Sequence, residues 1–506
     1  MNEQVAYKRR WWALAAFSLS VVLVTVDNTI LAVAVPSLAE DLNPSPAELL
    51  WIGDIYGFVL AGLLITMGAT GDRFGRKRML FIGLIGFAIV SVAAAFSPNS
   101  MTLIFWRAVL GVFGAMLMPS TMSLIRSTFP DRNERTFAIS VWAAVAAAGG
   151  GLGPVLGGAL LEHFWWGSVF LVNVPIVIVI LLIGWFAIAE SKDPNPGRID
   201  LISAGLLLVG MVAFIFAVKE IALEGFSHPL PVAAAVVGPL ALFIFVRRQL
   251  QLETPMLDVR LFRVPAFSGA VLADLISVFG LMGVYFFLAQ QFQFAEHETP
   301  FQAGLRLVPA EIAALLGALI AARIIIRSGR RIAIGGGITL GAFGMLFLGL
   351  IHVSGIALVT LSMVMIGLGF GISLTGTSDA ILAAAPPDRA GSAAAVSETA
   401  YELGAALGIA VLGTVLTVVY QAKVVIPSGL PENVSHAMGA SLSEAFEAAK
   451  ELPAATAAAV EQAAATAFTD AFAVTCIAAA IVAFAGAFTA FKVLPNKANE
   501  PEAVEH

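Results

Sequence analysis

Fourteen apolar runs of about 20 residues, cut apart by short turns rich in Arg, Lys, Gly and Pro, leave this chain few folds to choose from. A run of that length crosses the roughly 30 Å hydrocarbon core of a bilayer as an α-helix, the conformation that satisfies every backbone N–H and C=O within the segment. The alternation of a β-barrel strand is absent. The prediction is an all-α polytopic membrane protein, its first span over about 12–36 and its last over about 469–493. Only 12% of the residues are charged, against about 25% in a soluble domain. Lys8, Arg9 and Arg10 resemble a signal-peptide n-region, but the run after them is too long for an h-region and reads as a span. The single cysteine, Cys476, lies inside an apolar run and offers no disulfide or thiolate metal site within the chain.

An even number of spans puts both termini on one side. With that side cytoplasmic, 23 of the 28 basic residues fall on inner segments, four fall outside and one, Arg107, lies within a span. This is the pattern of the positive-inside rule, and it predicts a multi-pass protein of a bacterial-type cytoplasmic membrane with both termini inside. Two polar breaks, Glu190–Asp200 and Arg247–Pro265, divide the spans six, two and six. The expected units are a six-helix bundle over 1–190, two inserted helices with a linker over 191–266, a second six-helix bundle over 267–495 and a polar tail over 496–506. The second bundle includes the longest excursion from the membrane, about 421–468 on the outer side. Within it Ser441–Gln462 is rich in Ala and Glu at helical spacing, with Pro453 as a break. That pattern predicts two short helices in a hairpin over the outer mouth.

Chemistry is expected where charge sits inside a span, because a carboxylate or guanidinium in hydrocarbon must face a cavity or a partner. Asp27 lies in the outer half of the first span, and Asp54 at a similar depth in the second. Glu398 and Glu402 in span thirteen are four residues apart, on one helix face. Two carboxylates there repel each other, which favours a proton on one of them, as a proton carrier requires. Tyr401 and the glycines Gly404 to Gly408 flank that face, the glycines suited to packing on a neighbouring helix. Span thirteen is taken as the counterpart of span one in the other half. Glu311 lies about three turns into span ten, beside Pro309. Asp274 and Asp379 lie nearer the inner ends and read as lip or topology residues. Arg107 in span four must find carboxylates, carbonyls or water. Tyr56, Phe58, Trp142 and Tyr285 are candidates for cation–π contact with a lipophilic cation.

Two more stretches stand out. Gly68-Ala-Thr-Gly71-Asp72-Arg73-Phe-Gly75-Arg76-Lys77 is a tight turn with a helix-end carboxylate and three cations, able to lock or release a neighbouring helix by charge pairing. Gly149-Gly-Gly-Leu-Gly153-Pro154-Val-Leu-Gly157-Gly158 packs six glycines and a proline into ten residues. Small residues let helix backbones approach closely, and the proline bends the helix. With G-x-x-x-D-R-x-G-R-K after span two and G-x-x-x-G-P-x-x-G-G in span five, the chain resembles the major facilitator superfamily and its exporters of antiporter type. Asp27-x-Thr29 with Ala34-x-Pro36, Trp51-Ile-x-Asp54-Ile-Tyr56, Pro255-Met-Leu-Asp258-Val-Arg-Leu-Phe and Ala393-Ala-Ala-Val-x-Glu398-x-x-Tyr401-x-Leu-Gly404 are similar to motifs of the fourteen-span drug:proton antiporter family, with its Qac-type exporters. The resemblance runs over essentially the whole chain.

What the resemblance implies is a major facilitator fold, two six-helix bundles plus two inserted helices, rocking around a central site. It implies substrate and proton sites at Asp27, Asp54, Tyr56, Glu311, Glu398, Tyr401 and Glu402, and proton coupling at Arg107. It also implies a gating loop of Gly68, Asp72, Arg73, Gly75 and Arg76, and an antiporter motif of Gly149, Gly153, Pro154, Gly157 and Gly158. Two positions depart from the family: Leu110 stands where a glutamine is often found, and Ala314 where related exporters can carry an acid for divalent cations.

The function expected is proton-coupled efflux of lipophilic cations such as quaternary ammonium compounds, dyes and biocides, with export of an endogenous lipid or metabolite as the alternative. Expected partners are those cations, protons and the bilayer, with no nucleic acid, no metal, no cofactor beyond the coupling proton, and a monomer as the working unit. A membrane enzyme or non-transporting sensor is the competing class. The chain has no H-E-x-x-H, G-x-S-x-G or G-x-x-x-x-G-K-[ST] pattern, and its six histidines fall at span ends or in loops.

Overall fold

A computed structural model describes residues 3–42, 44, 46–192, 200–224, 229–252, 255, 257–298, 300–352, 355–386, 390–450 and 452–495. The side chains of Asp54 and Pro154 and the tail 496–506 lie outside the described residues. The helices are α1 Glu3–Leu42, α2 Pro46–Phe74, α3 Arg76–Ala95, α4 Ser100–Thr128, α5 Arg132–Leu161, α6 Ser168–Leu171, α7 Asn173–Ala187, α8 Leu201–Glu224 and α9 Pro229–Gln251. They continue with α10 Pro265–Gln290, α11 Pro300–Ser328, α12 Arg330–Leu350, α13 Ile356–Ala384, α14 Ala390–Lys423, α15 Glu432–Ala440, α16 Leu442–Ala449 and α17 Ala454–Val493. Fourteen helical stretches are long and apolar enough to cross a membrane, α6 and α7 together forming the sixth. Among the described residues the regular structure is entirely helical.

Large apolar side chains on the outside of the bundle, such as Ile89, Trp185, Phe243 and Phe488, are exposed. In a bilayer that surface is solvated by lipid tails, so helix association rests on close packing of small residues rather than on apolar burial. In one half α1 packs on α5 and α7, α2 on α4, and α3 on α4 and α7. In the other, α10 packs on α13, α14 and α17, α11 on α13, and α12 on α13 and α17. The halves meet along α5–α11 and α2–α14. That crossed pairing makes α14 the counterpart of α5, so the expected equivalence of spans thirteen and one is corrected: span nine, α10, answers span one.

The inserted hairpin α8–α9 is not a free appendage. Its first helix packs on both α2 and α14 and covers one seam between the halves. Phe216 of α8 stacks on Trp51 of α2 at 5.5 Å and 15°. The α8–α9 pair is tied by a polar clamp: Arg248 Nε donates to Asp200 Oδ2 at 2.7 Å, Ser203 Oγ donates to the same oxygen at 2.6 Å, and Gln249 donates to Ser203 at 2.7 Å. The hydrogen bond from Arg248 holds the Asp200 carboxyl down, to about 2, with Ser203 adding to it. A depressed folded-state value gives stability that is present above the ordinary carboxylate range and is lost as pH falls through about 2. For this partly exposed pair Asp200→Asn is expected to cost about 1 kcal/mol at pH 7. The difference from wild type in thermal unfolding in detergent should narrow below about pH 4.

The excursion after α14 differs from its expectation in detail. The break at Pro453 is present, but helix begins earlier, at Glu432, and the segment after Pro453 is a continuous extension of the last span. The helices α15 and α16 fold against each other, and α16 lies on α17 and on the π-turn Gln291–Ala295 that follows α10. Tyr420 Oη donates to the Met438 carbonyl at 3.0 Å, and Phe446 sits 5.4 Å from Phe294. These contacts hold the excursion to the C-terminal half.

Candidate transport site

Arg107, seven residues into α4, is completely buried together with Asp27 of α1. Arg107 Nη1 reaches Asp27 Oδ2 at 3.2 Å, Nε donates to the Ile52 carbonyl at 3.1 Å and Nη2 to the Gly53 carbonyl at 3.3 Å. Asn173, at the start of α7, donates to Asp27 Oδ1 at 2.7 Å and lies 3.2 Å from Ser91 Oγ. The glycines after Arg107 explain the geometry. A Cβ on Gly111 would lie 2.7 Å from the Tyr56 carbonyl, and one on Gly114 3.0 Å from Tyr56 Oη, so α2 fits into a slot cut in α4. The Tyr56 ring then covers the guanidinium, its centroid 4.9 Å from Cζ. Asp27 and Arg107, expected in separate roles, are one ion pair.

The glycine run of α5 splits by face. A Cβ on Gly149 would stand 2.1 Å from Thr25 Oγ1 and one on Gly153 1.9 Å from Thr29 Oγ1, so these two let α1 lie directly against α5 and set the height of Asp27. Gly151 faces the opposite half, where a Cβ would meet Glu311 Cγ at 3.8 Å. Gly157 is buried, and Gly150 and Gly158 face open space. Gly153→Ala is expected to lower both thermal stability and efflux, because overpacking costs about 1–3 kcal/mol, more than the roughly 1 kcal/mol that Ala gains over Gly in a helix. Gly150→Ala, with the same propensity gain and no contact, is expected to be neutral or stabilising, and a matched loss in both variants would remove packing as the cause.

Glu311 owes its direction to its neighbours. The backbone of Ala310 and Ala314 meets Gly367 and Gly371 of α13, and Gly317 meets the Leu368 carbonyl. That row fixes one face of α11 on α13, and Glu311, about 100° round from Ala310, is left toward α5. On α14 the same device operates: Gly404 and Gly408 pack on the carbonyls of Leu275 and Phe279 of α10. Glu398, Tyr401 and Glu402 are each half-buried on this helix at the seam between the halves. Tyr401 is within electrostatic range of Glu398, Glu402, Glu311 and Asp274, and Tyr56 is within range of Asp27, Arg107 and Glu402. Tyr56 and Glu402 thus connect the two clusters. Among the described residues no cation pairs with Glu311 or Glu398.

The remaining polar groups also point inward. Tyr56 Oη, Tyr285 Oη and Trp142 Nε1 are buried, with no hydrogen-bond partner among the described residues. Tyr285 is within electrostatic range of Glu311. Phe58, the fourth aromatic candidate, is buried beside Trp51, ring centroids 6.1 Å apart. Chain geometry orders the acids: counted at ~1.5 Å per residue, Arg107 lies ~10 Å from the Ser100 end of α4 and Glu402 ~18 Å from the Ala390 end of α14.

Neither Asp274 nor Asp379 is exposed, and only Asp379 stands at the end of the bundle. Asp274 is buried, accepting from Thr377 Oγ1 at 2.5 Å and Ser397 Oγ at 3.1 Å. Asp379 of α13 accepts from Arg330 Nε at 2.6 Å and, across the seam, from Thr136 Oγ1 of α5 at 3.0 Å. Beside it Arg126 of α4 donates to the carbonyls of Leu382 and Ala385, a cation on the negative end of α13. This latch closes the end of the bundle that carries the α2–α3 turn. In that turn Gly75 has φ 114°, and a Cβ there would strike Glu190 at 2.7 Å. Asp72 pairs with Arg76 at 2.8 Å, and Arg76 Nη1 donates to Ser191 Oγ at 2.9 Å. Arg73 lies over the Phe74 ring at 5.8 Å, and Gly68 is buried. The turn therefore docks on the tail of α7 within its own half. Sequence reasoning missed Asn173, Arg126, Thr136 and Arg330 as partners, since each is an ordinary residue until the fold places a charge beside it.

The family description Major Facilitator Superfamily matches residues 17–409. The multidrug efflux pump LfrA of Mycolicibacterium smegmatis is 44% identical over 95% of this chain and 95% of its own length. The methyl viologen resistance protein SmvA of Salmonella typhimurium is 36% identical over 88% of this chain and 90% of its own. In fold the chain is similar to the proton:xylose symporter XylE, with a TM-score of 0.63 at 15% identity over 97% of this chain and 96% of that one.

Proposed function

This chain belongs to the major facilitator superfamily, a family of transporters rather than enzymes, and from that premise we propose that it is a proton-coupled antiporter exporting lipophilic cations by alternating access. The observation that carries the reading is the set of acids at the seam: Glu311 on α11 and Glu398 and Glu402 on α14 are half-buried two or more turns from either helix end, with Tyr401 among them. We read their partial exposure as access from a central path, in which carboxylates attract either a proton or an organic cation. The two compete: protons arriving from outside displace the drug, and deprotonation toward the inside restores the site. Each charge crossing 100 mV supplies about 2.3 kcal/mol.

Drug efflux is supported by LfrA, a multidrug efflux pump, and cation selectivity by SmvA, named for resistance to methyl viologen, an organic dication. The basic turns support a topology with the latched end and both termini on the cytoplasmic side of a bacterial plasma membrane. In this conformation the Arg126 and Asp379 contacts then hold the inner mouth shut. Both halves of the path come from one chain, so a monomer suffices, with the proton as coupling ion and no cofactor. The test is proton release from detergent-purified protein on adding ethidium or methyl viologen, beside dye efflux in a pump-deficient cell. Cation-dependent release with efflux is expected; binding with no proton released would remove the antiport reading.

A further inference from the structure

We infer that Asp274 is a second proton-binding site, built into the C-terminal half between the acid cluster and the latched end, and that opening of the latch discharges it. The inference rests on the proton-coupled reading and adds a named carrier to it. Asp274 lies nine residues into α10, where it is held by α13 through Thr377 and by α14 through Ser397. The other two deeply buried acids each have a basic partner, Arg107 for Asp27 and Arg330 for Asp379. Among the described residues Asp274 has none, and an ionised carboxylate so placed has no charge to balance it.

The hydroxyl geometry leaves room for a proton on Asp274. Thr377 Oγ1 lies 2.5 Å from Asp274 Oδ1 and also 2.9 Å from the Leu374 carbonyl of its own helix. A hydroxyl has one proton to donate. With that proton on the Leu374 carbonyl, the short contact is an O–H···O bond in which Asp274 donates to Thr377, while Ser397 donates to Oδ2. Once Asp274 loses its proton, the Thr377 hydroxyl turns about its Cβ–Oγ1 bond and donates to the carboxylate, so both protonation states are accommodated without moving a helix.

The surroundings give the proton a source and an outlet. The titratable groups within electrostatic range are Glu398, next to Ser397 on α14, and Tyr401; among the described residues none faces Asp274 from α11, α12, α13 or α17. A proton moving inward breaks the Glu398 O–H bond and forms one at Asp274, the negative charge passing to Glu398, where a cation can balance it. Thr377 is two residues from Asp379, the residue that binds Thr136 across the seam. Separation of α13 from α5 breaks the latch and frees the inner end of α13; a shift of that end on α10 then withdraws the Thr377 acceptor and releases the proton to the inside.

Asp274→Asn tests this, because the amide can donate to Thr377 and accept from Ser397 yet carries no exchangeable acid proton. Purified wild type and variant are compared for protons released per tetraphenylphosphonium bound across pH, and by infrared difference spectroscopy of the carboxylic C=O band. The variant is expected to bind within about threefold of wild type, to release half as many protons or fewer, and to lack one carboxylic band; Asp274→Glu should restore release. Should Asp274→Asn not fold, Thr377→Val is expected to shift that band, since it removes the acceptor. Undiminished release from Asp274→Asn, or a band that neither variant alters, overturns the inference while leaving proton coupling intact. No release from wild type overturns the proton-coupled reading itself.

Discussion

Asp27→Asn is expected to abolish efflux of monovalent cations such as ethidium. The structure adds a stability cost to that expectation, because Asp27 balances the buried guanidinium of Arg107. An amide still accepts a hydrogen bond but leaves a charge uncompensated, for which breaking a buried pair typically costs 3–5 kcal/mol. Asp27→Asn should therefore unfold in detergent at a lower temperature than wild type. Pairing it with Arg107→Gln should recover most of that stability, since two neutral groups can hydrogen-bond to each other and to Asn173. Efflux should stay lost in the double variant. Full resistance in Asp27→Asn would sink the assignment of this pair to transport, and recovery of efflux in the double variant would make the pair structural.

Glu398→Gln is the second large effect. Glu398 is half-buried on α14 with no cation paired to it among the described residues, so its amide copies the protonated acid in shape and charge. A variant fixed in that form should exchange substrate for substrate across a vesicle membrane. It should not accumulate substrate against a gradient when only a pH difference drives it, because nothing at this position can give up a proton. Substrate-for-substrate exchange and pH-driven uptake into inverted vesicles separate the cases. Equal loss of both would indicate a folding or binding defect, and retention of both would take Glu398 out of the proton route.

Much of the fold was legible because hydrocarbon is an unforgiving solvent for backbone polar groups. Run lengths alone specify helices, and the glycine patterns at 111 and 114, at 149 and 153, and at 404 and 408 mark where backbones touch. The pairing of those faces was less legible. Nothing in the order of residues says that Gly153 seats Thr29, because helix partners are chosen by three-dimensional fit over tens of residues. By contrast, the six, two and six division already makes span thirteen the fifth of its bundle, as span five is of the first. Asp274 and Asp379 show the limit best. Distance from a helix end predicted exposed lip residues, yet both are buried, Asp274 inside the half and Asp379 in the latch at its end, since the neighbouring helices supply Thr377, Ser397, Thr136 and Arg330.

The sequence by itself therefore determined the helical class, the number of spans, the loops and the few charges that a membrane interior would not tolerate without purpose. Each follows from local chemistry, the free energy of moving one residue or one segment out of water. Only the tertiary structure decided that Asp27 and Arg107 neutralise each other, that Glu311 looks across at Gly151, and that Asp274 stands beside Glu398 without a basic partner among the described residues. Charge compensation depends on distances of a few ångström between helices far apart in the chain, and such distances exist only after packing has set them.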